Sequence, residues 1–77
     1  MLARNNFGDA LREWRNLRRR SQLDLANEAG VSQRHLSFLE TGRSNPSREM
    51  VIHLGTVLGL SLRNRNALLT AAGFAHA

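Results

Sequence analysis

Residues 22–39 read QLDLANEAGVSQRHLSFL, and the order of small, apolar and turn-forming residues in this stretch decides the fold. Leu25, Ala26 and Ala29 fall on the inward side of one short helix, and Leu36 and Leu39 on that of a second. Between them Gly30 accepts positive φ at no steric cost, so the chain can reverse sharply there, with Val31 plugging the corner. Ala26 supplies the small side chain that lets the two helices cross closely. Left outward on the second helix are Gln33, Arg34, His35, Ser37 and Phe38. Such side chains carry the donors, acceptors and apolar surface that recognise base edges in a duplex groove. The pattern is that of a helix-turn-helix over about residues 22–41.

Composition agrees with a small module of this kind. The chain has 77 residues, enough for one domain with a small core. It has no Cys, so no disulfide or thiolate metal site can staple it, and stability must come from helix packing. No apolar run approaches the ~18 residues that span a bilayer, and the start lacks the apolar segment of a signal peptide. A cytoplasmic protein without a membrane partner is the expectation. The formal net charge is +5, and all 11 basic residues are Arg. Lys-free usage fits bidentate contact with phosphate and guanine, and it fits genome base composition equally well. The cationic excess itself favours a polyanionic partner.

Working outward from the motif, five helices are expected, with no strands. The first runs from about Phe7 to Arg20, with Phe7, Leu11, Trp14 and either Leu17 or Arg18 on one stripe. Asn6 and Asp9 form a capping pair at its start. Arg18, Arg19 and Arg20 fall in its last turn, where cations oppose the helix macrodipole; they form either a solvated end or part of a phosphate-facing surface. Ser21 and Asp24 make a capping box for the second helix, and Ser32 caps the third, which stops at Gly42. After the Pro-containing loop 43–47, Ser47 or Asn45 caps a fourth helix through Leu58. A fifth follows Ser61, from about Leu62 to Ala72, closed by Gly73.

The run from about Phe7 to Leu60 resembles the helix-turn-helix domain of the Xre family, the phage lambda repressor–Cro superfamily. The resemblance is carried by Arg15, Ser21-Gln22, Leu25-Ala26, Ala29-Gly30-Val31-Ser32, Leu36-Ser37, Leu39-Glu40, Gly42-Arg43, Asn45-Pro46-Ser47 and Val57-Leu58-Gly59-Leu60. It implies an all-α, compact five-helix domain over residues 1–77. The tail from Leu62 to Ala75 further resembles bacterial regulators in which such a domain precedes an MmyB-like ligand-binding domain. One departure stands out: Arg20 lies where relatives commonly carry an apolar residue. Either its stem covers apolar surface with the head in water, or the first helix shifts so that Leu17 fills the gap.

By this resemblance the third helix enters the major groove by its N-terminal end. Gln33, Arg34, Ser37 and Phe38 are then the base-reading candidates. Gln33 suits adenine, Arg34 suits guanine or else a phosphate, and the Phe38 ring either meets a thymine methyl or packs within the protein. Backbone-contacting candidates are Gln22, Ser32, His35, Thr41, Arg43, Asn45 and Arg48, with Gln22 at a helix N-terminus where a phosphate is favoured. Arg15 and Glu40 are implied to form a half-buried salt bridge, and Arg15 is also a phosphate candidate. The implied partners are double-stranded DNA and a second copy of the chain on a pseudo-palindromic site. Leu62, Leu68, Leu69 and Phe74 either serve that contact or a following domain, or close the domain's own core. No cofactor is expected. Nor is catalysis: there is no Cys nucleophile, His35, His53 and His76 lack metal-ligand spacing, and no Gly-rich phosphate loop occurs. The competing expectations are an oligomerisation module or an antitoxin on the same fold.

Overall fold

A computed structural model describes residues 6–75. Among them the order is α1 (Phe7–Leu17), α2 (Gln22–Ala29), α3 (Gln33–Thr41), α4 (Arg48–Val57) and α5 (Leu62–Ala71), with no strand. His76 lies outside the described residues.

Each helix begins the same way. Asn6, Ser21, Ser32, Ser47 and Ser61 sit in extended backbone, and each side-chain oxygen accepts the amide three residues on. Ser21 and Asp24 complete the capping box reciprocally, and Ser47 rather than Asn45 caps α4. Gly30 (φ 73) and Gly42 (φ 82) are left-handed, as the turn after α2 and the exit from α3 require.

The core is leucine-rich: Leu11, Leu25, Leu36, Leu39, Leu54 and Leu68 are fully buried, with Ala26 at the α2–α3 crossing. α1 packs on α3 and α5, while α4 packs on α2 and α5. α3 is thus braced on its inner side by α1 and α2. At the α1–α3 crossing a Cβ on Gly8 would lie 2.3 Å from the Glu40 carbonyl oxygen, so only glycine permits this approach.

One expectation is corrected, and three questions that the sequence left open are decided. First, α1 stops at Leu17 rather than continuing to Arg20. Arg18 caps it, Arg19 turns left-handed at φ 57, and the Arg19 and Arg20 amides donate to Asn16 and Arg15 carbonyls, each at 3.0 Å. Arginine is a good helix former, so local propensity held no stop signal; the chain must turn here to enter the Ser21 cap.

Second, Leu17 does not fill the gap near Arg20: it is 64% exposed. Arg18 takes the stripe position, donating from Nε to the Leu58 carbonyl at 2.8 Å with its guanidinium 5.4 Å from the Trp14 ring centroid. Third, Arg20 pairs with Glu28 at 3.1 Å and Arg18 is tied to the Leu58 carbonyl, while all three arginines of the run stay exposed, as at a solvated helix end. Fourth, Leu68 and Leu69 are buried and Phe74 is half-buried against the same core, which leaves Leu62 as the exposed member of that set.

Because an L-residue in the left-handed region is disfavoured by ~1–2 kcal/mol, Arg19→Gly should relieve strain at the α1 exit. After the extra chain entropy of unfolded glycine is subtracted, a gain of about 0.5–1 kcal/mol is expected in denaturant unfolding. Unchanged or lower stability would mean that the Arg19 side chain contributes more than its backbone costs.

Candidate nucleic-acid interface

Ser32 starts the exposed face of α3. Its hydroxyl oxygen accepts the His35 amide at 3.0 Å, so its geometric role is the cap. Gln33 and Arg34 follow in the first turn, both exposed, and His35, Ser37 and Phe38 are half-buried. Phe38 is therefore neither in the core nor free of the protein. The guanidinium carbons of Arg34 and Arg43 each lie 5.5 Å from its ring centroid. Arg34 reaches the ring from one turn earlier. Arg43 reaches it because the chain folds back at Gly42, with the Arg43 amide donating to the Phe38 carbonyl at 2.9 Å.

Charge on this segment is one-sided. From residue 29 to residue 48 the sequence holds Arg34, Arg43 and Arg48 and a single carboxylate, Glu40. Glu40 is 3% exposed and turned inward. Arg15 grips it bidentately, Nε to Oε2 at 2.6 Å and Nη2 to Oε1 at 3.1 Å, and Gln22 donates from Nε2 to Oε1 at 3.0 Å. Among the described residues, neither Arg34 nor Arg43 has a carboxylate within 4.0 Å. Two cations beside one aromatic ring, without a protein counter-ion, leave an anion-attracting face.

The other candidates divide. Asn45 and Arg48 are exposed, in the loop and at the first position of α4. Thr41 is exposed, but its hydroxyl donates to the Ser37 carbonyl of its own helix at 3.0 Å. Gln22 is tied to Glu40 through one amide proton, which leaves its side-chain oxygen and second proton outside that bond. Arg15 is withdrawn: its side chain is 12% exposed, and Nη1 donates to the Arg20 carbonyl at 2.9 Å, so all three guanidinium nitrogens are engaged internally. The Arg15 guanidinium is thus turned into the protein rather than toward a phosphate.

Sequence reasoning paired Arg15 with Glu40 but missed two other members of the cluster. Arg12, three residues before Arg15 on the same helix face, lies with Nε 3.8 Å from Glu40 Oε1. Gln22 was expected to act outward, and its inward bond to Glu40 had no sequence signal. His53, expected on the surface or half-buried on the fourth helix, is exposed on α4; its Nε2 lies 2.8 Å from the Ala29 carbonyl, where the ring N–H donates to the end of α2. A cleft between Asn6, Phe7, Leu39, Pro46 and Ala72 has no titratable side chain in its walls. Among the described residues, no three His, Asp or Glu side chains gather as a metal-binding group. No helix of the described residues is long and apolar enough to cross a membrane.

The profile of a helix-turn-helix family matches residues 11–63, and the chain belongs to that family. The Xre-like motif expected from residues 22–41 lies wholly inside the match. Over 41 residues the chain is 46% identical to an uncharacterized HTH-type transcriptional regulator of Archaeoglobus fulgidus, a match covering 53% of this chain and 18% of that relative. The matched segment thus spans less than a fifth of the relative's length.

Proposed function

We propose that residues 1–77 form a sequence-specific double-stranded DNA-binding domain of a transcriptional regulator, with α3 placed in the major groove. The observation that carries this reading is the charge of residues 29–48: three arginines, two of them gathered on Phe38, with the segment's only carboxylate buried against Arg15. The family and the name of the relative support it. An oligomerisation module with a dead DNA surface has no use for an unpaired cationic face, and no toxin-binding segment is recognisable.

In this reading Gln33, Arg34 and Ser37 address the bases, and the Phe38 ring sits among them, either on a thymine methyl or against the protein's own side chains. Gln22, His35, Thr41, Arg43, Asn45 and Arg48 address the backbone, and Ser32 acts chiefly as the cap. A single α3 spans too few base pairs for useful selectivity, so we place the domain as a dimer on a pseudo-palindrome with half-sites about one helical turn apart. Leu62 is the large exposed apolar residue among those described in α5, on which such a contact can draw. The relative's greater length supports a longer regulator, and the resemblance of the tail from Leu62 to Ala75 supports a C-terminal ligand-binding domain of the MmyB-like kind.

Arg34→Ala should cost ~1–3 kcal/mol of binding and relax selection at one base position, whereas Arg43→Ala should weaken all sequences nearly alike and flatten the salt dependence. Binding-site selection by each variant checks both. A uniform loss on removing Arg34 contradicts its base-reading role.

A further inference from the structure

We infer that Phe38 is a positioning residue for both Arg34 and Arg43, coupling the base-reading side chain to the phosphate-contacting one, rather than an independent reader of thymine. The inference rests on the proposed DNA-binding function and adds the device by which its two arginines are held.

Three observations carry it. The two guanidinium carbons lie at the same distance, 5.5 Å, from the ring centroid, within the range of attraction between a cation and an aromatic face. Neither arginine has a carboxylate partner among the described residues, and the ring is the group both heads meet. The backbone enforces the meeting: the Phe38 carbonyl accepts the amides of Gly42, Arg43 and Ser44, which turns the chain past α3 back over the residue that carries the ring. Spacing alone brings Arg34 there, since residues four apart share a helix face. Arg43 is delivered only by the left-handed Gly42.

A long arginine loses rotamer freedom when it binds, and a ring that already restrains it lowers that cost. Holding two heads at once gives the ring leverage over both contacts. Two like charges held on one ring also repel, and a phosphate anion or the acceptor edge of guanine meeting either head offsets that repulsion.

The test is a set of variants in the intact chain, read by duplex binding after site selection and by thermal unfolding. Phe38→Met keeps apolar volume but removes the ring; Phe38→Tyr keeps the ring. Phe38→Met should bind the selected site roughly tenfold more weakly, the effect expected from freeing two side chains, with little change in melting. Phe38→Tyr should bind within about twofold of the parent, because the aromatic face is retained. In an Arg34→Ala, Arg43→Ala background, Phe38→Met should have no further effect.

An undiminished loss in that background, confined to a site position with thymine, overturns the inference in favour of direct contact with the methyl group. Full binding by Phe38→Met overturns it as well. If the parent chain selects no duplex at all, the functional proposal fails with it; if the parent binds selectively and only the coupling is missing, this inference alone falls.

Discussion

Glu40→Ala is expected to destabilise the domain by about 3–5 kcal/mol, the usual consequence of removing one member of a buried ion pair. The carboxylate is 2% exposed at its side chain and its main partner, Arg15, 12%. Deleting the acid therefore leaves a guanidinium away from water with Nε unpaired and Nη2 without its acceptor, while Gln22 loses the bond that fixes its amide. Stabilities of ~0.05–0.15 kcal/mol per residue give a chain of this length about 4–12 kcal/mol in all, so the variant approaches the edge of folding. Glu40→Gln keeps an acceptor but loses the charge, and it should fall between the two. Urea unfolding of the three proteins checks the order. A loss under about 1 kcal/mol would rank the pair with exposed salt bridges such as Arg20–Glu28 and remove the structural role assigned to Glu40.

Gly8→Ala is expected to be destabilising even though alanine is the better helix former by ~1 kcal/mol. The added Cβ would lie 2.3 Å from the Glu40 carbonyl oxygen and 2.8 Å from the Leu39 carbonyl oxygen. These are backbone atoms, so no side chain can rotate aside, and the start of α1 must move off the end of α3. Overpacking of this kind costs ~1–3 kcal/mol and occasionally more; with so short an approach, a net loss of about 3 kcal/mol is expected. The affected carbonyl belongs to Glu40 itself, so the two substitutions should combine non-additively. The melting temperature of Gly8→Ala beside those of the parent and the double variant tests this. A rise would show that propensity outweighs the crossing, and that α1 and α3 can separate without penalty.

What could be read from the sequence was what local chemistry encodes. A serine or asparagine before each helix, glycine after α2, α3 and α4, and leucine at helical spacing identified five helices with boundaries close to those observed. The Arg15–Glu40 pair was accessible only by resemblance, since its partners are 25 residues apart. The end of α1 was misplaced because three successive arginines favour a helix, while the turn is imposed by the next cap and secured by bonds from Arg19 and Arg20. The C-terminal leucines were ambiguous for a different reason: periodicity identifies an apolar face without saying what covers it. Packing against α1 and α4 gives most of that face to the domain's own core. At the site, residue type and helical phase singled out Arg34 and Phe38. Their convergence with Arg43 depends on a left-handed exit whose effect on side-chain placement no linear spacing reveals.

Selection of bound sites from a random duplex pool, followed by affinity measurements across a salt series, tests the proposed function most directly. The expected outcome is enrichment of a two-fold symmetric site, with log affinity falling against log salt at a slope of roughly −7 to −9 for a dimer engaging ~4–5 phosphates per half-site. A folded chain that enriches no sequence over a scrambled competitor at low ionic strength would contradict it.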